Sequence, residues 1–181
     1  KIAFRAKTVV FLVWGQYSKE EAIRFQNYDE TKIHICGIPQ YDDWIDSHLE
    51  TRDEFCARVG LDPLKKIIVY GSEGRVATYD PDIVAMLVED IRAQKILASQ
   101  IYIRPHQMYP NDREKFAQFE GVPEVVIDTP WNSDNAFRDN WDYSKTQMQH
   151  FRSILAHMDV LVTSPSTLTL DAAVLDKPII N

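Results

Sequence analysis

The sequence predicts an α/β fold, a parallel sheet with helices on both faces. Three observations carry this. From residue 66 onward, short apolar runs alternate with helical stretches at close spacing, the pattern of βαβ units. The runs at 67–70 and 160–162 are apolar throughout and rich in β-branched residues, as buried parallel strands are. Successive runs end in small or polar residues, so one edge of the sheet collects them.

The elements follow in order. Residues 8–14 (TVVFLVW) read as a strand. Ser18 and Glu21 form a capping-box pattern that opens a short helix. Residues 32–36 alternate as a strand, and 37–44 read as a loop with an aromatic-rich exit. Thr51 and Glu54 make a second capping box, and Gly60 supplies the matching helix stop. After the strand at 67–70, Asp80 and Pro81 start a helix whose apolar face is Ile83, Val84, Leu87, Val88 and Ile91. A strand at 100–103 precedes a short helix capped by Asn111 and Glu114. Next come a strand at 125–127 and a polar loop at 132–140. A helix capped by Asp142 then faces Met148, Phe151, Leu155 and Met158 inward. After the strand at 160–162, Ser164 and Ser166 are both N-cap residues by type, and Pro165 suits a first helical position. Leu168, Ala172 and Leu175 fall on one face of that helix, Pro178 stops it, and Ile179 and Ile180 begin another strand.

The chain has 181 residues, enough for one α/β domain with a sizeable core. Its 45% hydrophobic and 26% charged content is ordinary globular usage. The net charge of −7 argues against a broad nucleic-acid or anionic-membrane surface. A local anion site remains compatible with it, because backbone N–H groups and one Arg can build one. Cys36 and Cys56 lack metal spacing; free thiols are the simpler reading, with a disulfide left open. No stretch approaches the ~18 apolar residues of a membrane helix, and no signal peptide is expected. A chain that starts without Met and ends on Ile-Ile-Asn is expected to be a piece of something longer.

Ligands of open parallel sheets bind beyond the carboxyl ends of the strands. Four strand ends therefore supply the site residues. Gly71 and Ser72, with Gly74, either let a backbone approach a phosphate or make an ordinary turn. Arg104 and His106 follow the next strand directly. His106 either donates to a phosphate or sugar oxygen, or acts as an acid, or is satisfied by loop carbonyls. Asp128 ends a third strand, and Trp131 beyond it either stacks on a base or anchors its loop. Ser164, Ser166 and Thr167 form the turn after the fourth, where helix N–H groups suit a phosphate. Asp171 lies one turn further, where a carboxylate can accept from ribose hydroxyls. A capped helix without a ligand is the plain alternative for that turn. His34, His48, His150 and His157 read as structural. No residue cluster has metal-ligand spacing, so no metal and no cofactor are expected.

Five stretches, in their order and spacing, resemble the carboxyl-terminal half of bacterial GT-B glycosyltransferases of the surface-polysaccharide type. They are Ile35-Cys-Gly-Ile-Pro-Gln-Tyr-Asp42; Thr51-Arg-Asp-Glu-Phe55 with Gly60-Leu-Asp-Pro63; Ile67-Ile-Val-Tyr-Gly-Ser72; Tyr102-Ile-Arg-Pro-His-Gln107; and Ser164-Pro-Ser-Thr-Leu-Thr-Leu-Asp-Ala-Ala173 with Lys177-Pro178. Gln107 stands where such loops often carry Pro, and Asp176 stands where Gly is usual. The resemblance implies a Rossmann-like domain at 46–181, truncated at its carboxyl end, after a crossover segment at 1–45. It implies a donor site for a UDP- or CDP-type nucleotide sugar, with the diphosphate on Ser164 to Thr167 and the ribose on Asp171. Arg104 and His106 would lie near the donor phosphates or sugar, and Asp128 to Trp131 near the nucleotide. The implied reaction is metal-independent sugar transfer to a glycan or lipid-linked acceptor, with the catalytic base in an amino-terminal domain. It would run in the cytoplasm, with peripheral attachment at the inner membrane face through parts beyond this chain. Transferases using CDP-glycerol or CDP-ribitol and nucleotide-sugar 2-epimerases share the scaffold. A non-enzymatic nucleotide-binding module is the alternative of another class.

Overall fold

The computed structural model describes residues 8–42, 44, 48–107, 109, 111–129 and 144–181. The chain divides into two compact units, Lys1–His48 and Leu49–Asn181.

In the first unit, β1 (Phe11–Val13) and β2 (Ile33–Ile35) pair in parallel, Phe11 opposite Ile33 and Val13 opposite Ile35. Helix α1 (Gln16–Gln26) connects them and packs Ala22 on Val13, Tyr28 and Ile33. The 8–14 run is a strand only where β2 lies alongside. The Ser18 and Glu21 pattern does not mark the helix start, because the helix begins earlier, after an extended Gly15 with no side-chain cap. Within 37–44, Pro39–Tyr41 winds into a 3-10 turn, and the Tyr41 ring meets the Trp44 ring edge-on at 5.0 Å.

In the second unit, helix α2 (Arg52–Val59) carries the complete capping box. The Thr51 hydroxyl accepts from the Glu54 amide at 3.3 Å, and the Thr51 amide donates to the Glu54 carboxylate at 2.8 Å. Gly60 ends it in the left-handed region, at φ 81°. Five parallel strands follow: β3 (Lys66–Gly71), β4 (Ser99–Arg104), β5 (Val125–Ile127), β6 (Val160–Thr163) and β7 (Ile179–Ile180). Their order in the sheet is β5-β4-β3-β6-β7. The chain therefore builds outward from β3 to β5, then returns to lay β6 on the other side of β3. That reversal makes a switch point between β3 and β6, where doubly wound sheets open a crevice.

Both faces of the sheet are covered. One buries Ile68, Tyr70, Ile101 and Ile103 under Val84 and Val88 of α3 (Asp80–Arg92) and under Phe116 and Phe119. Ile83, Leu87 and Ile91 of α3 pack at its margin, as their spacing predicts. The alternate strand residues Ile67, Val69, Tyr102 and Leu161 are also buried, with Phe55 of α2 and Ile154 and Leu155 of α4 (Lys145–His157).

Three local expectations change. The segment after β4 is a 3-10 run, Arg113–Phe119, rather than a helix capped by Asn111. Asp112 precedes it and turns its carboxylate away from the helix amides. Helix α4 is capped by Ser144, whose hydroxyl accepts from the Gln147 amide; Asp142 lies outside the described residues. Helix α5 (Leu168–Val174) starts after Thr167, so Pro165 stays outside it. The Ser166 hydroxyl and carbonyl are taken up by Leu168 and Thr169 in a tight side-chain turn, which delays the helix. At the other end of α5, the Asp176 amide bonds the Ala173 carbonyl and the Lys177 amide bonds the Ala172 carbonyl. Asp176 sits at φ 53°, the left-handed position of a Schellman stop, which explains why Gly is usual there. The stop thus precedes Pro178.

Candidate functional site at the switch point

Gly71 ends β3 between Arg104 of β4 and Thr163 of β6. A Cβ here would lie 2.6 Å from Leu168 Cδ2 and 3.1 Å from Thr163 Oγ1. The glycine therefore lets α5 close onto the strand end, and Thr163 Oγ1 donates to the Gly71 carbonyl at 2.9 Å. Ser72 is buried. Its amide donates to the Arg104 carbonyl at 3.1 Å, and its hydroxyl donates to Asp80 Oδ2 at 2.9 Å while accepting from the Gly74 amide.

Asp80 is the centre of the first polar cluster. It accepts from the Tyr70 hydroxyl at 2.7 Å and from Lys115 Nζ at 2.7 Å. Burial, with the Asp80 carboxylate beside it, pushes the Tyr70 phenol far above its usual range, so it stays a donor. Lys115 also reaches Asp112 at 2.8 Å, and Asp112 Oδ2 accepts from the His106 amide at 2.6 Å. The half-buried His106 ring lies 5.0 Å from the Tyr109 ring.

Asp128 is the centre of the second. It accepts from the Tyr102 hydroxyl at 2.7 Å and pairs with Arg104 Nη1 at 3.4 Å. The Arg104 guanidinium lies 4.4 Å from the Phe151 ring centroid. Burial lowers the pKa of this guanidinium; Asp128, Tyr102 and Asp171 oppose that and favour its charge. The carboxylate of Asp171 on α5 thus acts on Arg104 from the far side of β3. His150 Nε2 lies 3.1 Å from Asp128 Oδ1, and its Nδ1 lies 2.9 Å from Arg58 Nη1. A guanidinium only donates, so Nδ1 accepts and Nε2–H donates to Asp128.

The fold thus gathers Gly71, Ser72, Arg104 and Asp128, with Asp171 within electrostatic reach. His106 belongs to the Asp80 cluster, on a different support from Asp128. Ser164 and Ser166 are half-buried and Thr167 exposed in the turn after β6. Trp131 lies outside the described residues. The sequence assigns no site role to Asp80, read as a helix start, to Asp112, Lys115 or Tyr102, or to His150, read as structural, which instead meets Asp128. One signal pointed to two of the carboxylates: Tyr70 and Tyr102 sit inside apolar strands, and a buried phenol needs a partner. Among the described residues, no helix is long and apolar enough to cross a membrane.

Residues 8–181 match the family model of the CDP-glycerol:poly(glycerophosphate) glycerophosphotransferases. No curated protein matches the chain. Among solved structures, the wall teichoic acid polymerase TagF is similar at 18% identity and a TM-score of 0.57, over 94% of this chain and 37% of that one. The UDP-GlcNAc 2-epimerase of Methanocaldococcus jannaschii is similar at 15% identity and a TM-score of 0.63, over 95% of this chain and 45% of that one. The chain therefore spans less than half the length of either structure. At these identities the likeness establishes the Rossmann-like, GT-B-type fold. The match over nearly its whole length makes the chain a member of the CDP-glycerol:poly(glycerophosphate) glycerophosphotransferase family.

Proposed function

We propose that this chain is the donor-binding half of a transferase that moves glycerol phosphate from CDP-glycerol to a glycan or lipid-linked acceptor. The family match over residues 8–181 carries the reading. The switch point supports it, because the strand ends beside β3 and β6 converge there. This narrows the nucleotide-sugar reading to a phosphotransfer. An acceptor hydroxyl gives up its proton to a base in the amino-terminal domain and attacks the phosphorus that bears glycerol, the bond from that phosphorus to the bridging oxygen breaks, and CMP leaves.

In this reading, negative charge grows on the departing phosphate, and fixed donors stabilise it. We assign Arg104 and the turn at Ser164, Ser166 and Thr167 to the phosphates, with Gly71 and Ser72 forming the floor. Asp171 accepts from the ribose hydroxyls. Asp128 holds Arg104 beneath the crevice, so a phosphate shares the guanidinium with it. We place His106 at the reacting phosphate as a hydrogen-bond donor, and Trp131 near the base. The reading requires no metal or cofactor. It puts the reaction in the cytoplasm, at the inner face of the membrane that holds the acceptor.

The identity of the released nucleotide tests this. The enzyme containing this chain, given CDP-glycerol and a glycerophosphate-primed acceptor, is expected to release CMP at the same rate with and without chelator. Release of a nucleoside diphosphate from a nucleotide sugar instead would make it a glycosyltransferase. CDP binding without turnover of any donor would leave a nucleotide-binding module, and loss of turnover with chelator would overturn the metal-free claim.

A further inference from the structure

We propose that Lys115 is a positioning residue, whose ammonium locks the loop carrying His106 onto the loop that follows β3. What His106 then meets rests on the donor reading above; the lock itself stands on geometry.

Lys115 Nζ lies 2.7 Å from Asp80 Oδ2, 2.8 Å from Asp112 Oδ1 and 2.9 Å from the Gly74 carbonyl. An ammonium has three protons, matching these three near acceptors, with the Ala77 carbonyl further off at 3.5 Å. Each of the three belongs to a different segment: the start of α3, the loop before the 3-10 run, and the turn after β3. The Asp80 and Asp112 side chains are 1% and 2% exposed. Each carboxylate passes the hold on. Asp80 takes the hydroxyls of Tyr70 and Ser72, and Asp112 takes the His106 amide at 2.6 Å.

A second contact holds the ring. Tyr109 lies against Gly74, where any Cβ would run into its ring, and Gly74 is at φ +65°. The Arg75 guanidinium lies 5.6 Å from the Tyr109 centroid, and the His106 ring lies 5.0 Å from it. His106 is thus supported at its amide by Asp112 and at its ring by Tyr109. Tyr109 rests on the Gly74 turn that Lys115 grips, and Asp112 is held by Lys115 itself. Stability alone does not call for this arrangement. Burying two carboxylates on one ammonium is costly, and apolar packing of the same volume does as well or better. What the charged version adds is a single geometry for the two loops.

The test uses the 181-residue chain, CDP as ligand, and the His106 backbone amide resonance as reporter. Lys115→Met and Asp112→Asn are compared with wild type. Arg92→Met, which removes a surface pair with Glu124, is the control. Wild type is expected to show the His106 amide proton well downfield, as a short bond to a carboxylate requires. Both variants should move it upfield and weaken CDP, Lys115→Met by about tenfold and Asp112→Asn by less, since one charge-assisted contact is misplaced. The control should leave both readouts in place. An unmoved His106 amide in Lys115→Met overturns the lock. A moved amide with CDP affinity within about twofold of wild type overturns the positioning role. If Lys115→Met does not fold, Asp112→Asn decides on the same two readouts. Wild type that binds no CDP defeats the donor reading and leaves the amide comparison to judge the lock.

Discussion

The two ends of the five-stranded sheet use their acid groups differently. At the amino end, Asp159 accepts from the Ile67 amide at 2.9 Å, from Lys66 at 2.8 Å and from Arg52 at 3.0 Å. Arg52 also donates to the carbonyls of Pro63, Lys65 and His157. This carboxylate is 25% exposed, and its network ties main chain to main chain. At the carboxyl end, Asp128 is 6% exposed and accepts from the side chains of Tyr102, Arg104 and His150. Asp80 does the same with Tyr70, Ser72 and Lys115. The amino end thus ties strands and loops together, while the carboxyl end ties buried side chains to one another. A network that ties the backbone needs only stability; one that aims side chains must also fix direction.

The largest expected effect tests the carboxyl end. Asp128→Ala removes the carboxylate that balances a guanidinium whose side chain is 10% exposed. Breaking a buried pair from one side typically costs about 3–5 kcal/mol. Urea unfolding of the 181-residue chain should show a loss of that size. A loss under about 1 kcal/mol, the scale of an exposed pair, would mean that water reaches Arg104.

The amino end should respond to pH instead. Burial raises the Asp159 carboxyl, but Lys66, the Ile67 amide and Arg52 outweigh it and hold the group below its ordinary value. The folded state therefore binds this proton less readily than the unfolded chain. Its stabilisation is fully present above the ordinary Asp range, about pH 4, and is lost as pH falls through the lower folded value. Asp159→Asn should cost about 1–2 kcal/mol at pH 7, since hydrogen bonds to a charged group are lost at a partly exposed site. The gap from wild type should shrink at pH 3. Equal gaps at both pH values would assign the loss to packing rather than charge.

The contrast between the ends also explains what the sequence disclosed. The central strands at 67–70 and 160–162 are legible because parallel strands buried on two faces are apolar along their length, and the strands beside them because each apolar run has a polar exit. The box at Thr51 and the stop at Gly60 were legible because both act within a few residues. Contacts set by chain folding were not. Asp80 reads as a helix start, and nothing in its neighbours says that it turns inward onto Tyr70 and Lys115, the latter 35 residues away. His150 reads as one more polar position on α4, yet it reaches Asp128 across 22 residues. The strand at 8–14 was overlong because pairing with β2, rather than apolar content, sets its length. The helix after β6 starts later than Pro165 suggests because Ser and Thr near a helix start serve equally as caps and as turn formers.

The smallest effect lies at the box that opens α2, and it asks whether this helix belongs to the frame or to the Asp128 cluster. Thr51→Ala removes the hydroxyl that accepts from the Glu54 amide. The reciprocal bond from the Thr51 amide to Glu54 remains available, so the loss should be about 1 kcal/mol, and Thr51→Ser should restore it. Chemical unfolding reads both. The more telling measurement is CDP affinity. Glu50, beside the cap, pairs with Arg58 of α2; Arg58 contacts His150, and His150 donates to Asp128. A cap that only frames the fold leaves CDP binding within about twofold of wild type, a difference of roughly 0.4 kcal/mol. A larger fall would mean that the start of α2 reaches Asp128 through Arg58 and His150. Thr51→Ala, His150→Phe and the double variant would then test that route, because changes that share a path do not add.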